Sequence, residues 1–134
     1  MMAGFKVLDA YTLLAYFEDE PGADRVRSLL LQAEEGKVEL AMAVVNLGET
    51  WYAIARADSP AAADRLTQEI RGMAIEIVDA DWSLTREAAM LKAKGGVSYA
   101  DCFAAALAKR RKGEVVTGDP EFKRLEGDVK VAWL

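Results

Sequence analysis

The chain has no histidine among its 134 residues. That absence removes imidazole acid–base pairs, Ser-His and Cys-His nucleophile arrangements, and histidine-ligated zinc. A single cysteine, Cys102, excludes an internal disulfide and a thiolate metal cluster. Its setting in Cys102-Phe103-Ala104-Ala105-Ala106-Leu107 reads as that of a small buried hydrophobe. No apolar run approaches the roughly 20 residues a membrane span requires, so no membrane partner is expected. The start, Met1-Met2-Ala3-Gly4-Phe5-Lys6, lacks the basic, apolar and small-residue segments of a secretion signal, which makes the cytoplasm the expected compartment. Catalysis, if any, must run on carboxylates, amines, hydroxyls or a metal held by oxygen.

What is present fits an ordinary globular chain, with 52% apolar and 29% charged residues, long enough for one core and read as a single domain over 1–134. The formal net charge is −5, from 17 basic and 22 acidic residues. A nucleic-acid partner usually shows as an excess of Lys and Arg, so the balance argues mildly against one. Acids gathered in one pocket and neutralised by cations would restore that option.

Hydrophobic periodicity predicts strands at 5–8, 38–43, 75–78, 114–117 and 129–133. Between them it predicts helices over 10–20, 23–35, 44–57, 60–73, 81–94 and 98–112, and a short one ending near 125. Pro21-Gly22, Gly36, Asp58-Ser59-Pro60 and Gly95-Gly96 supply the breaks. Short strands alternating with helices imply an α/β fold: a mainly parallel sheet of four to five strands covered on both faces.

Parallel sheets bind ligands beyond the carboxyl ends of their strands. Asp9 ends the first strand and Asp119 lies two residues past the fourth, which puts both at one rim. Each also reads as a helix cap, Asp119 with Pro120 especially. Asp101, in Ser98-Tyr99-Ala100-Asp101, has capping-box spacing, yet it opens a nearly all-apolar helix where an unpartnered carboxylate is costly. Glu49 sits inside a helix, in Asn46-Leu47-Gly48-Glu49-Thr50-Trp51-Tyr52, beside Val45, Tyr52 and Ala53. Its nearest cation in sequence, Arg56, is about two turns away.

These segments together resemble the PIN-domain family, and within it the VapC-type toxins of toxin–antitoxin pairs. The resemblance spans the whole chain. It rests on Val7-Leu8-Asp9-Ala10, Asn46-Leu47-Gly48-Glu49, Ser98-Tyr99-Ala100-Asp101 and Thr117-Gly118-Asp119-Pro120-Glu121-Phe122, in that order. It implies a PIN-like three-layer fold and a magnesium- or manganese-dependent endoribonuclease. Asp9, Glu49, Asp101 and Asp119 fall on its four catalytic acids. It also implies a cognate antitoxin and a homodimer.

Four converging carboxylates repel and so capture a cation, and all-oxygen ligands suit Mg2+ or Mn2+. Asp9 and Asp101 are the expected direct metal ligands, with Glu49 and Asp119 in support. Asn46, Ser98 and Thr117 are expected behind them. Without an imidazole pair, attack by a metal-activated water is expected, leaving a 5′-phosphate and a 3′-hydroxyl. For RNA contact the candidates are the basic run Lys109-Arg110-Arg111-Lys112, which also reads as a helix C-terminal charge cluster, and Lys92, Lys94, Lys123 and Arg124 nearer the rim. Two other readings remain open: a non-catalytic RNA- or protein-binding module of the same fold, and a magnesium-binding receiver-like signalling domain. The latter wants a lysine after a late strand, where this chain has Thr117-Gly118-Asp119.

Overall fold

The computed structural model describes residues 4–134, so the first half of the chain start considered above, Met1-Met2-Ala3, lies outside the described residues. Five strands form one sheet: β1 (Phe5–Leu8), β2 (Glu39–Ala43), β3 (Glu76–Val78), β4 (Glu114–Thr117) and β5 (Lys130–Trp133). Their order across the sheet is β3-β2-β1-β4-β5, and every neighbouring pair is parallel. The expected mainly parallel sheet is thus wholly parallel. A parallel neighbour requires a long crossover back to the starting edge, and the helices between the strands provide it.

Those crossovers are α1 (Ala10–Phe17), α2 (Ala23–Glu34), α3 (Val44–Ala57), α4 (Pro60–Arg71), α5 (Trp82–Ala93) and α6 (Tyr99–Arg110). The short helix at Pro120–Leu125 is of the 3₁₀ type. Two helices stop earlier than their apolar periodicity suggests. After Phe17 the chain turns through Asp19 at φ 52°, and after Arg110 it turns through Lys112 at φ 55°. Both are left-handed positions that no helix can continue through.

Successive strand residues point to opposite faces, and the two faces carry separate cores. On one side Val7, Ala41 and Val115 pack with Leu84, Ala88 and Leu91 of α5 and the alanine-rich body of α6. On the other Leu8, Met42 and Val116 pack with Leu13 of α1, Leu29 of α2 and Ile70 of α4. The result is helices, sheet, helices. Every residue of α6 from Asp101 to Ala108 is buried, because small side chains let this helix lie close on the sheet. That close approach carries the start of α6 to the carboxyl ends of β1 and β4.

Candidate active site

Asp9 follows β1 directly and is almost fully buried. Both of its oxygens are occupied. Oδ1 accepts the Thr12 N–H at 3.0 Å, capping α1, and Oδ2 accepts the Thr117 hydroxyl at 2.6 Å. The Thr117 oxygen in turn accepts the Asp119 N–H at 3.0 Å, so one threonine ties the end of β1 to the turn after β4. Asp119 Oδ1 accepts the Glu121 N–H at 3.0 Å and starts the 3₁₀ helix. The helix-cap readings of Asp9 and Asp119 are therefore true, and they coexist with a place in a common pocket.

Asp101 departs from simple capping. Ser98 Oγ accepts the Asp101 N–H at 3.2 Å, which is one half of a capping box. The reciprocal donor, the Ser98 N–H, goes instead to Glu121 Oε1 at 3.3 Å. The Asp101 carboxylate is released from that duty, and its Oδ2 is buried with no hydrogen-bond partner. Only 4% of the residue is exposed. A buried, unpartnered carboxylate oxygen costs several kcal/mol by order of magnitude unless something binds it.

Glu49 approaches from α3, half-buried, in the same pocket. Asn46, one turn earlier, is fully buried and donates from Nδ2 to the Ala100 carbonyl at 3.1 Å, which pins α3 to the start of α6. All four acids selected from sequence therefore line one cavity of about 300 Å³, with Ser98 among its walls. Asn46 and Thr117 lie behind it.

A fifth acid was not anticipated. Glu121 lines the same cavity, and carboxylate oxygens of Asp101, Asp119 and Glu121 lie within 4.8 Å of one another. Its signal in the sequence was a position two residues past Asp119 and beside Phe122, whose buried ring fixes the 3₁₀ turn.

Crowding and burial perturb these groups. Burial, with a smaller contribution from the charge of Asp119, pushes the Asp101 carboxyl up to about 7 from an ordinary 3.8. Burial also pushes Asp9 up to about 6, although the Thr117 hydroxyl and Thr12 N–H pull the other way. Glu49 is raised by burial and by Asp119. Among the described residues no Lys or Arg lines the cavity to offset this. Five carboxylates on one cavity, one oxygen of which is orphaned, fit a hard divalent cation that takes oxygen ligands.

Two of the four cations in the basic run are committed elsewhere. Arg111 makes two 2.8 Å bonds to Glu76, and Arg110 contacts Glu87 and Ser83. Near the rim, Lys94 pairs with Asp128 and Lys92 donates to the Val97 carbonyl.

A wholly parallel sheet with acids collected at its carboxyl rim defines an α/β domain with an acidic pocket. The profile of the PIN domain family matches residues 6–128, and the chain belongs to that family. Comparison with curated protein sequences gives no significant match. Several solved structures share the fold. A VapBC complex from Salmonella typhimurium bound to DNA is 20% identical with a TM-score of 0.76, covering 99% of this chain and 98% of the other. VapBC2 from Rickettsia felis, bound to a promoter DNA fragment, is 18% identical with a TM-score of 0.74, covering 96% and 98%. VapC20 from Mycobacterium tuberculosis, described as a sarcin-ricin-loop-cleaving toxin, is 15% identical with a TM-score of 0.69, covering 89% and 93%.

Proposed function

We propose that this chain is a metal-dependent endoribonuclease, a single catalytic domain over 1–134, acting as the toxin of a toxin–antitoxin pair in the cytoplasm. The observation that carries the reading is the buried, partnerless Oδ2 of Asp101 beside Asp119 and Glu121. Membership of the PIN domain family supports it. So do structural neighbours described as VapBC complexes and as a sarcin-ricin-loop-cleaving toxin. We infer an antitoxin partner from the same likeness, and a homodimer from the family resemblance alone.

Asp101, Asp119 and Glu121 would hold Mg2+ or Mn2+, with Glu49 reaching in from α3. When bound, the ion supplies charge neutralisation at the scissile phosphate and acidifies water. Asp9 accepts one hydrogen bond on each oxygen, from Thr12 and Thr117, which fix its carboxylate and leave a lone pair on each for direct ligation beside Asp101. Ser98 and Thr117 hold Glu121 and Asp119 in register through backbone and hydroxyl contacts. Asn46 keeps the Glu49 helix against the Asp101 helix. The remaining carboxylate oxygens would orient a water to attack phosphorus opposite O3′: the P–O bond to water forms as P–O3′ breaks, a carboxylate takes the water's proton and O3′ takes one from solvent, leaving a 5′-phosphate and a 3′-hydroxyl.

Chromatographic analysis of the product ends tests this. With Mn2+ and a mixed-sequence RNA, 5′-phosphate and 3′-hydroxyl ends are expected. Ends carrying 2′,3′-cyclic phosphate would overturn the mechanism.

A further inference from the structure

The cavity that holds the acids offers no cation of its own to a polyanionic substrate: its charged lining consists of Asp9, Glu49, Asp101, Asp119 and Glu121. What it does present to solvent is aromatic. Tyr11 and Tyr52 both line it, and they remain 43% and 48% exposed. Single exposed tyrosines are common on protein surfaces and need no explanation. Two on different helices, opening onto one pocket, are a different matter when each ring is held in place.

Tyr11 lies two residues past Asp9, on α1, and its ring rests against the peptide of Gly118 in the turn after β4. A Cβ at position 118 would stand 2.5 Å from Cε1 of that ring and 3.0 Å from its hydroxyl oxygen. Glycine is thus what lets the ring come this close to the loop that carries Asp119. Tyr52 belongs to α3, where Glu49, Tyr52 and Arg56 share one face by helical spacing. The Arg56 guanidinium stands over the Tyr52 ring at 5.4 Å from its centroid. Arg56 makes no ion pair among the described residues, so its charge is uncommitted.

We propose that Tyr11 and the Tyr52–Arg56 pair are two stacking platforms at the mouth of the acidic pocket, selecting RNA whose bases are unpaired around the scissile phosphate. The inference rests on the ribonuclease reading above and adds the residues that choose the substrate. In a duplex the faces of each base are covered by its neighbours, and an A-form groove does not admit side chains to them. In a loop or single strand the faces are free to stack on tyrosine or guanidinium. Arg56, over the Tyr52 ring, supplies a positive charge beside the platform for a phosphate flanking the scissile one. Carboxylates and ion in the depth, with aromatic surface at the rim, divide the work between hydrolysis and selection.

The test uses the full chain. Cleavage is suppressed with Asp101→Asn, and fluorescence anisotropy in Mg2+ follows binding of a labelled unpaired oligoribonucleotide and of the same sequence in a duplex. Tyr11→Ala and Tyr52→Ala are each expected to weaken binding of the unpaired oligonucleotide by about tenfold, and Tyr→Phe at either site by no more than about twofold. Arg56→Ala is expected to reduce the salt slope of binding by about one. Duplex affinity should not change. In chains with Asp101 intact, the alanine variants should raise KM while kcat moves by less than about threefold.

Unpaired-RNA binding by the alanine variants equal to the parent's overturns the proposal. So does an equal loss for duplex and unpaired RNA. If the tyrosines serve a protein partner instead, RNA binding stays unchanged, which is the first of these outcomes. A parent chain that neither binds nor cleaves RNA with metal overturns the ribonuclease reading and this one together. A parent that cleaves, with alanine variants that cleave equally well, overturns only the platforms.

Discussion

The two ends of the sheet treat charge in opposite ways. At the amino ends of the strands, acids are matched. Lys6 on β1 pairs with Glu114 on β4, and Arg111 makes a two-pronged bond to Glu76 at the start of β3. Arg111 draws the Glu76 carboxyl below its usual range, chiefly through its hydrogen bonds. At the carboxyl ends, five acids share one cavity with no matching base, and Asp9, Asp101 and Glu49 are pushed up. The same strands carry both arrangements, so the contrast does not come from the fold. Evolution tolerates an uncompensated buried charge where a ligand is to supply the compensation.

The largest effects should come from removing charge at the carboxyl rim. Asp101→Asn is expected to reduce RNA cleavage by roughly a thousandfold or more, because it deletes the orphaned oxygen that would ligate the proposed ion. Without metal, the same change should raise the melting temperature by about 3–6 °C at pH 8, since it removes a buried and repelled charge. Calorimetric melting in EDTA and in Mn2+ distinguishes this from an ordinary core mutation. The parent gains stability from Mn2+ and the variant does not. A variant that melts lower than the parent in EDTA would erase the difference between the two ends.

pH sharpens the comparison next. Asp9 and Asp101 bind protons more tightly folded than unfolded, titrating near 6 and 7 instead of 3.8. Their contribution to metal-free stability is therefore full below about pH 4 and is lost as pH rises through 6 and 7. Urea unfolding in EDTA at pH 5 and pH 8 should show less stability at pH 8, with the difference reduced in Asp101→Asn. Glu76 has the opposite sign: its stabilisation is present above the ordinary carboxylate range and fades in acid.

How much of this contrast was legible in the sequence depends on the kind of contact. The strand–helix alternation and the four acids Asp9, Glu49, Asp101 and Asp119 could be read because strand ends and apolar helices are local patterns. Glu121 was not read as part of the site. Its role depends on the Ser98 N–H reaching it across 23 positions, and no periodicity encodes such a bond. The basic run at 109–112 could be read as a cluster, but its occupation by Glu76 and Glu87 is a tertiary fact. The capping-box spacing of Ser98 and Asp101 was real and half used. Sequence alone could not say which carboxylate would take the other half.

Smaller effects complete the series. Glu121→Gln should weaken Mn2+ binding by about tenfold in isothermal titration calorimetry while the fold is retained, since one ligand and one charge are lost. An affinity equal to the parent's would place the ion away from Glu121. At the amino end, Glu76→Gln breaks an ion pair whose glutamate is 55% exposed, and should cost no more than about 1 kcal/mol in urea unfolding. RNA cleavage by that variant should match the parent. A large loss of cleavage would mean that the amino rim also serves the reaction.

The central claim is that the uncompensated acids of the carboxyl rim form a divalent-cation site for RNA hydrolysis. Its most direct measurement is cleavage of an end-labelled RNA by the purified parent and by Asp101→Asn, each with Mn2+ and with EDTA. The account predicts cleavage by the parent in Mn2+ alone, and none by the variant in either condition. Cleavage by the parent in EDTA, or by Asp101→Asn at the parent's rate, would contradict it.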